Sequence, residues 1–67
     1  MLSLGQPTIY TDPNGGQYAA LVVCVNPDGT VNLKWWGSWG EDRPAALNVP
    51  VTTATVPKPK THYCEAI

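Results

Sequence analysis

The sequence predicts an all-β fold, a small antiparallel barrel of four to five short strands around one central hairpin. Three observations lead there. Seven prolines and six glycines interrupt 67 residues, too often for helices of ordinary length. Valine and threonine, which suit a pleated surface, are abundant, and phenylalanine is missing. Between Ala20 and Trp36, two strand-like runs flank Asn26-Pro27-Asp28-Gly29, the pattern of a β-hairpin.

The hairpin is the best-defined element. Pro27 presets φ for the first central position of a type I turn, Asp28 suits the second, and Gly29 takes the left-handed conformation that closes the turn. Asn26 then faces Thr30. An unbroken register opposes Val25 to Val31, Cys24 to Asn32, Val23 to Leu33, Val22 to Lys34, Leu21 to Trp35 and Ala20 to Trp36. Opposed residues share a face and faces alternate. Leu21, Val23, Val25, Val31, Leu33 and Trp35 are therefore expected to face the core. Ala20, Val22, Cys24, Asn32, Lys34 and Trp36 are expected on the outer face.

The other elements follow in order. Gln6 to Thr11 reads as a first strand at an edge, because Pro7 cannot donate to a ladder, with Ile9 and Thr11 on one side. Asp12-Pro-Asn-Gly-Gly16 is a turn. Gly37 to Pro44, with two glycines, three charges and Trp39 in its middle, is a loop. Ala45 to Asn48 reads as one helical turn or the start of a strand. Val49 to Val56 is β-rich, with Pro50 placing it at an edge or strand end. Pro57-Lys-Pro-Lys60 is an extended connector. His62 to Ile67 is a last strand with His62, Cys64 and Ala66 on one side. Residues 1–67 form one domain, and an SH3-like barrel fits the strand number and length.

A chain this short buries only about 60% of its unfolded surface, so lids or partners matter to it. The net charge is −1 with 13% charged residues. A nucleic-acid binder of this size shows a clearer basic excess. Low charge is also compatible with self-association. The start lacks the pattern of a secretory leader, and the longest apolar run, Ala19 to Val25, is too short for a membrane span. A host-cytoplasmic or virion location, with no membrane partner, is the expectation. Cys24 and Cys64 read as buried thiols, with a disulfide between them as the alternative.

Tyr10, Gly15-Gly16, Ala20 to Val25, Asp28-Gly29 and Val31-Asn32-Leu33 resemble a group of very small bacteriophage-encoded proteins. Thr61-His-Tyr-Cys-Glu65 resembles a degenerate copy of the aromatic motif that ends them. The Trp35-Trp36-Gly-Ser-Trp39 loop departs from the group. The resemblance implies a phage or prophage origin and an SH3-like or similar barrel. It brings no established activity and no catalytic residues.

Candidate residues are few. Trp36, Trp39, Arg43 and Lys34 form the expected partner-binding set, because exposed tryptophan is a favoured interface anchor; the alternative is that Trp36 and Trp39 fold back as a lid. The partner is expected to be a protein, including other copies of the chain or a virion component. The same aromatics with Lys34, Arg43, Lys58 and Lys60 would make a nucleic-acid surface, the less favoured reading, and a third is an effector that blocks a host protein. His62, Cys64 and Cys24 lack the paired close spacings of a zinc site. No nucleophile–base pattern or phosphate loop is present. The expectation is a non-enzymatic interaction module, an accessory structural or assembly protein, without catalytic residues, metal or cofactor.

Overall fold

The computed structural model describes residues 2–53 and 58–65. Six strands make one sheet: β1 Pro7–Thr11, β2 Gln17–Val25, β3 Val31–Trp35, β4 Ala46–Val49, β5 Val51–Thr52 and β6 Tyr63–Glu65. Their order is β4-β3-β2-β1-β6-β5. The pairings are antiparallel except β5 with β6, which is parallel. The sheet curls strongly into a half-barrel, and no helix occurs among the described residues.

Three hairpin-type turns share one construction. In Asp12–Gly16, Asn26–Thr30 and Gly37–Glu41, the first residue's N–H reaches the fifth residue's carbonyl, at 2.9, 2.8 and 2.9 Å. The fourth residue's N–H reaches the first residue's carbonyl, at 3.0, 3.1 and 2.9 Å. The fourth residue is Gly15, Gly29 or Gly40, with φ of 88°, 90° and 78°, a conformation that β-carbon-bearing residues avoid. The expected turn at Pro27-Asp28-Gly29 therefore has the expected form.

The hairpin register holds near its turn and then shifts. Val25 pairs with Val31 and Cys24 with Asn32, but Val22 pairs with Leu33, Leu21 with Lys34 and Ala20 with Trp35. Val23 is an extra residue, a β-bulge. One inserted residue exchanges the faces of everything beyond it. Val22 is 1% exposed and Val23 45%, so Ala20 and Val22 enter the core in place of Leu21 and Val23. Val23 and Leu33 thus do not share a face as the unbroken register required. The β3 side of the expectation stands, since Val31 and Leu33 are buried and Trp35 packs against them.

The core comprises Leu2, Tyr10, Ala20, Val22, Val31, Leu33, Ala46, Val49 and Cys64. The fully buried Leu33, Val22, Val31 and Val49 each contribute about 1.5–3 kcal/mol. Buried Thr8 and Thr52 send their hydroxyls to the Glu65 and Cys64 carbonyls at 2.9 and 3.2 Å.

Other expectations are corrected. β1 is not an edge strand; it lies between β2 and β6. Pro7 is its first residue, where a missing N–H is tolerated, and its buried residues are Thr8, Tyr10 and Thr11 while Ile9 is outward. Of the two readings of Ala45 to Asn48, the strand holds, as Ala46–Val49. The expected strand from Val49 divides at Pro50, and its part over 54–56 lies outside the described residues, as do Pro57 of the connector and Ala66 and Ile67 of the last strand. Six strands replace four to five. Cys24 is exposed rather than buried, and both thiols are free.

β4 and β5 stand at opposite ends of the strand order, yet Pro50 alone separates them in the chain. The Pro50 carbonyl accepts the Cys64 N–H at 3.0 Å. The two ends of the sheet are joined there, so neither runs on as a long free edge.

Candidate interaction site

Trp35, the last residue of β3, and Trp36 just beyond it turn to opposite faces. Trp35 points inward, its ring 4.9 Å from those of both Tyr10 and Tyr18. Trp36 is half-buried outside, bridged to Asp42, with the Lys34 ammonium 5.8 Å from its ring centre. The bridge carries the chain into the Gly37–Glu41 turn. Trp39 occupies the third position of that turn and is 93% exposed. It does not fold back over the barrel.

The turn is held from beneath. Glu41 Oε1 accepts the Trp39 N–H at 2.9 Å. Its own backbone N–H and that of Trp39, then the Arg43 charge, hold the Glu41 carboxyl below the usual carboxylate range. Gly37 leaves the carboxylate its place, since a β-carbon at 37 would overlap it. Arg43 lies 3.4 Å from Glu41 Oε2 and 5.8 Å from the Trp35 ring centre. Lys34 pairs with Asp42 and donates to the Arg43 carbonyl at 2.8 Å. The expected residues Lys34, Trp36, Trp39 and Arg43 are thereby gathered on one hairpin, with Trp39 at its tip.

These cations already have carboxylate partners, and Lys58 pairs with Glu65 at 2.8 Å. Exposed pairs are weak, but each still lowers the positive potential that phosphates would meet. His62 and the two cysteines are not gathered. Cys24 is exposed beside Asn26 Oδ1, 3.6 Å away, whereas Cys64 is buried and its thiol is pushed up to about 11 by burial. His62 Nδ1 is hydrogen-bonded to the Tyr10 hydroxyl at 3.0 Å. Burial, and after it the Asp12 charge, raises the Tyr10 pKa above its ordinary value. Among the described residues no three metal-ligating side chains converge.

At the far end of β3 an apolar cavity of about 350 Å³ opens between the Asn26–Thr30 turn and the chain entry, lined chiefly by Leu2, Val25, Pro27, Gly29, Val31 and Val51. Val25 faces inward opposite Val31 as expected, yet is 45% exposed because it stands at this mouth. Sequence reasoning missed the cavity, since Leu2 and Val51 reach it only through the fold. The turn that carries Trp39 reads in sequence only as a loop, although a signal for it is present. Asp-Pro-Asn-Gly-Gly, Asn-Pro-Asp-Gly-Thr and Gly-Ser-Trp-Gly-Glu align as one turn type with glycine fourth. Comparison of the chain with protein-family models, curated proteins and solved structures gave no match.

Proposed function

We propose that the protein is a non-enzymatic interaction module whose contact residue is Trp39. One observation carries this reading. The third turn position holds Asn14 and Asp28 in the other two turns, residues whose short polar side chains suit turns, but holds an exposed tryptophan in the third. The indole has no role in forming the turn, and it exposes a large apolar surface to water. Tryptophan is enriched among residues that dominate binding energy at protein interfaces. Lys34, Arg43 and Trp36 support the tip, and Arg43 is the charged group best placed to meet a partner's rim.

The half-barrel is read as a variant of the SH3-like barrel, supported by its short strands, tight turns and bend at Pro50. The resemblance to small phage-encoded proteins supplies the setting: an accessory structural or assembly protein of a bacteriophage, acting in the host cytoplasm or in the virion. Nucleic acid is a weaker candidate than protein because Lys34, Arg43 and Lys58 are each paired with a carboxylate.

Site-specific photo-cross-linking tests the contact. A photoreactive aromatic residue is placed at position 39, or at position 14 as a control in the same turn geometry. A discrete cross-linked species from position 39 alone is expected in producing cells. The same pattern from both positions, or none from 39, overturns the reading.

A further inference from the structure

Resting on the reading of Trp39 as the contact residue, we propose that Trp39 of one copy seats in the apolar cavity beside Val25 and Pro27 of a second copy. The cavity lies at the Val31 end of β3 and the tip beyond its Trp35 end. Five strand residues span about 17 Å, so a chain's own indole cannot enter its own cavity. The two features are complementary only between molecules.

The chemistry matches on three counts. The cavity's lining carries no charged side chain, as an indole requires. The charged residue in the turn that forms its rim is Asp28, exposed and kept ionised by the Thr30 hydroxyl and N–H at 2.6 and 2.9 Å. Just behind the tip stands Arg43, of opposite sign, paired with Glu41 at 3.4 Å and 5.8 Å from the Trp35 ring centre; the five donors of a guanidinium allow it a second carboxylate. The third count is size. A cavity of about 350 Å³ is at the lower end of the range for small-ligand sites, suited to one aromatic side chain rather than a folded segment.

Area sets the strength. A docked tryptophan removes about 150–250 Å² from water, whereas a stable interface takes about 800 Å² from each partner. The contact is therefore transient, with a Kd of about 10 μM to 1 mM. Because each copy has both a tip and a cavity on separate patches, the contact is heterologous and each copy can make two.

The test is complementation between two variants, read as mass by analytical ultracentrifugation at about 1 mM chain. Trp39→Ala keeps the cavity and loses the tip. Val25→Glu keeps the tip and places a charge in the cavity; Pro27→Glu on the exposed rim replaces it if circular dichroism shows Val25→Glu unfolded. The wild type is expected to associate, each variant alone to be weakened about 30-fold or more, and an equal mixture to form a one-to-one pair. Association by Trp39→Ala as strong as wild type overturns this proposal and the contact reading together. Association that needs Trp39 but survives both cavity variants overturns only the cavity as receptor. A wild type that stays monomeric overturns self-docking, while the cross-linking experiment still reads a partner of another kind.

Discussion

A side chain completes the ladder between β3 and β4: Asn32 Oδ1 accepts the Asn48 N–H at 2.9 Å, while Asn48 holds φ at 53°. Val31 pairs with Val49 and Leu33 with Ala46, leaving β4 one residue longer over that interval. The Asn26 amide lies 3.0 Å from Asn32 Oδ1, 3.0 Å from Thr30 Oγ1 and 3.3 Å from Asn48 Oδ1. Three asparagines thus fasten the β2–β3 turn to β4. Asn32→Ala is expected to cost about 0.5–1.5 kcal/mol, because it removes the one acceptor shared by the half-buried Asn26 amide and the exposed Asn48 N–H. Asn48→Ala is expected to cost about 1–2 kcal/mol, the strain of a left-handed alanine, whereas Asn48→Gly relieves that strain. Urea unfolding checks this; equal stability of the Ala and Gly variants at position 48 would refute it.

The bulge at Val23 makes adjacent valines unequal. Val22→Ala opens a void in the core and is expected to cost about 1–3 kcal/mol. Val23→Ala, on the outer face, is expected to stay within about 0.5 kcal/mol of wild type. The same unfolding measurement decides, and a reversed order would restore the unbroken register.

The two thiols are expected to react separately. In the folded protein at neutral pH an aromatic disulfide reagent should titrate one thiol, and Cys24→Ser should abolish that reaction. Cys64 is buried and its pKa is raised to about 11, so it reacts only after unfolding. A folded pKa above the unfolded value contributes stability that is whole below the unfolded pKa and is lost as pH rises toward 11. Two equally fast thiols in the native protein would contradict the burial of Cys64.

Acid should release the tip. The folded pKa of Glu41 is depressed by the backbone N–H groups it binds, so its contribution is present above the ordinary carboxylate value and is lost as pH falls through the depressed one. The NMR shift of the Trp39 amide is expected to titrate with a midpoint below that of an ordinary glutamate. Glu41→Gln should abolish the titration while preserving the fold. A Trp39 amide insensitive to pH would show that the carboxylate does not hold it.

Local chemistry was legible in the sequence, and long-range chemistry was not. The Asn26–Thr30 turn and the inward face of β3 follow from residue type and spacing, whereas the sequence leaves Trp39 between an exposed contact and a lid, and only the structure exposes it. The bulge did not announce itself, because Leu21, Val22 and Val23 are all apolar and either face could have been the inner one. Pro7 suggested an edge, but a first-position proline also fits inside a sheet when the next strand starts beyond it, as β6 does by pairing at Tyr10 and Thr11. The cavity needed Leu2 beside Val51, a contact that no pattern in either segment encodes.

The place of β6 between β1 and β5 governs when this sheet can assemble. Tyr10 meets Cys64 across 54 positions of chain, a closure that is slow by its length and topology. During folding, the β1 to β4 meander can gather while β1 waits with an open flank until residues 63–65 return to it. That interval is when the chain is most prone to pair with the wrong strand.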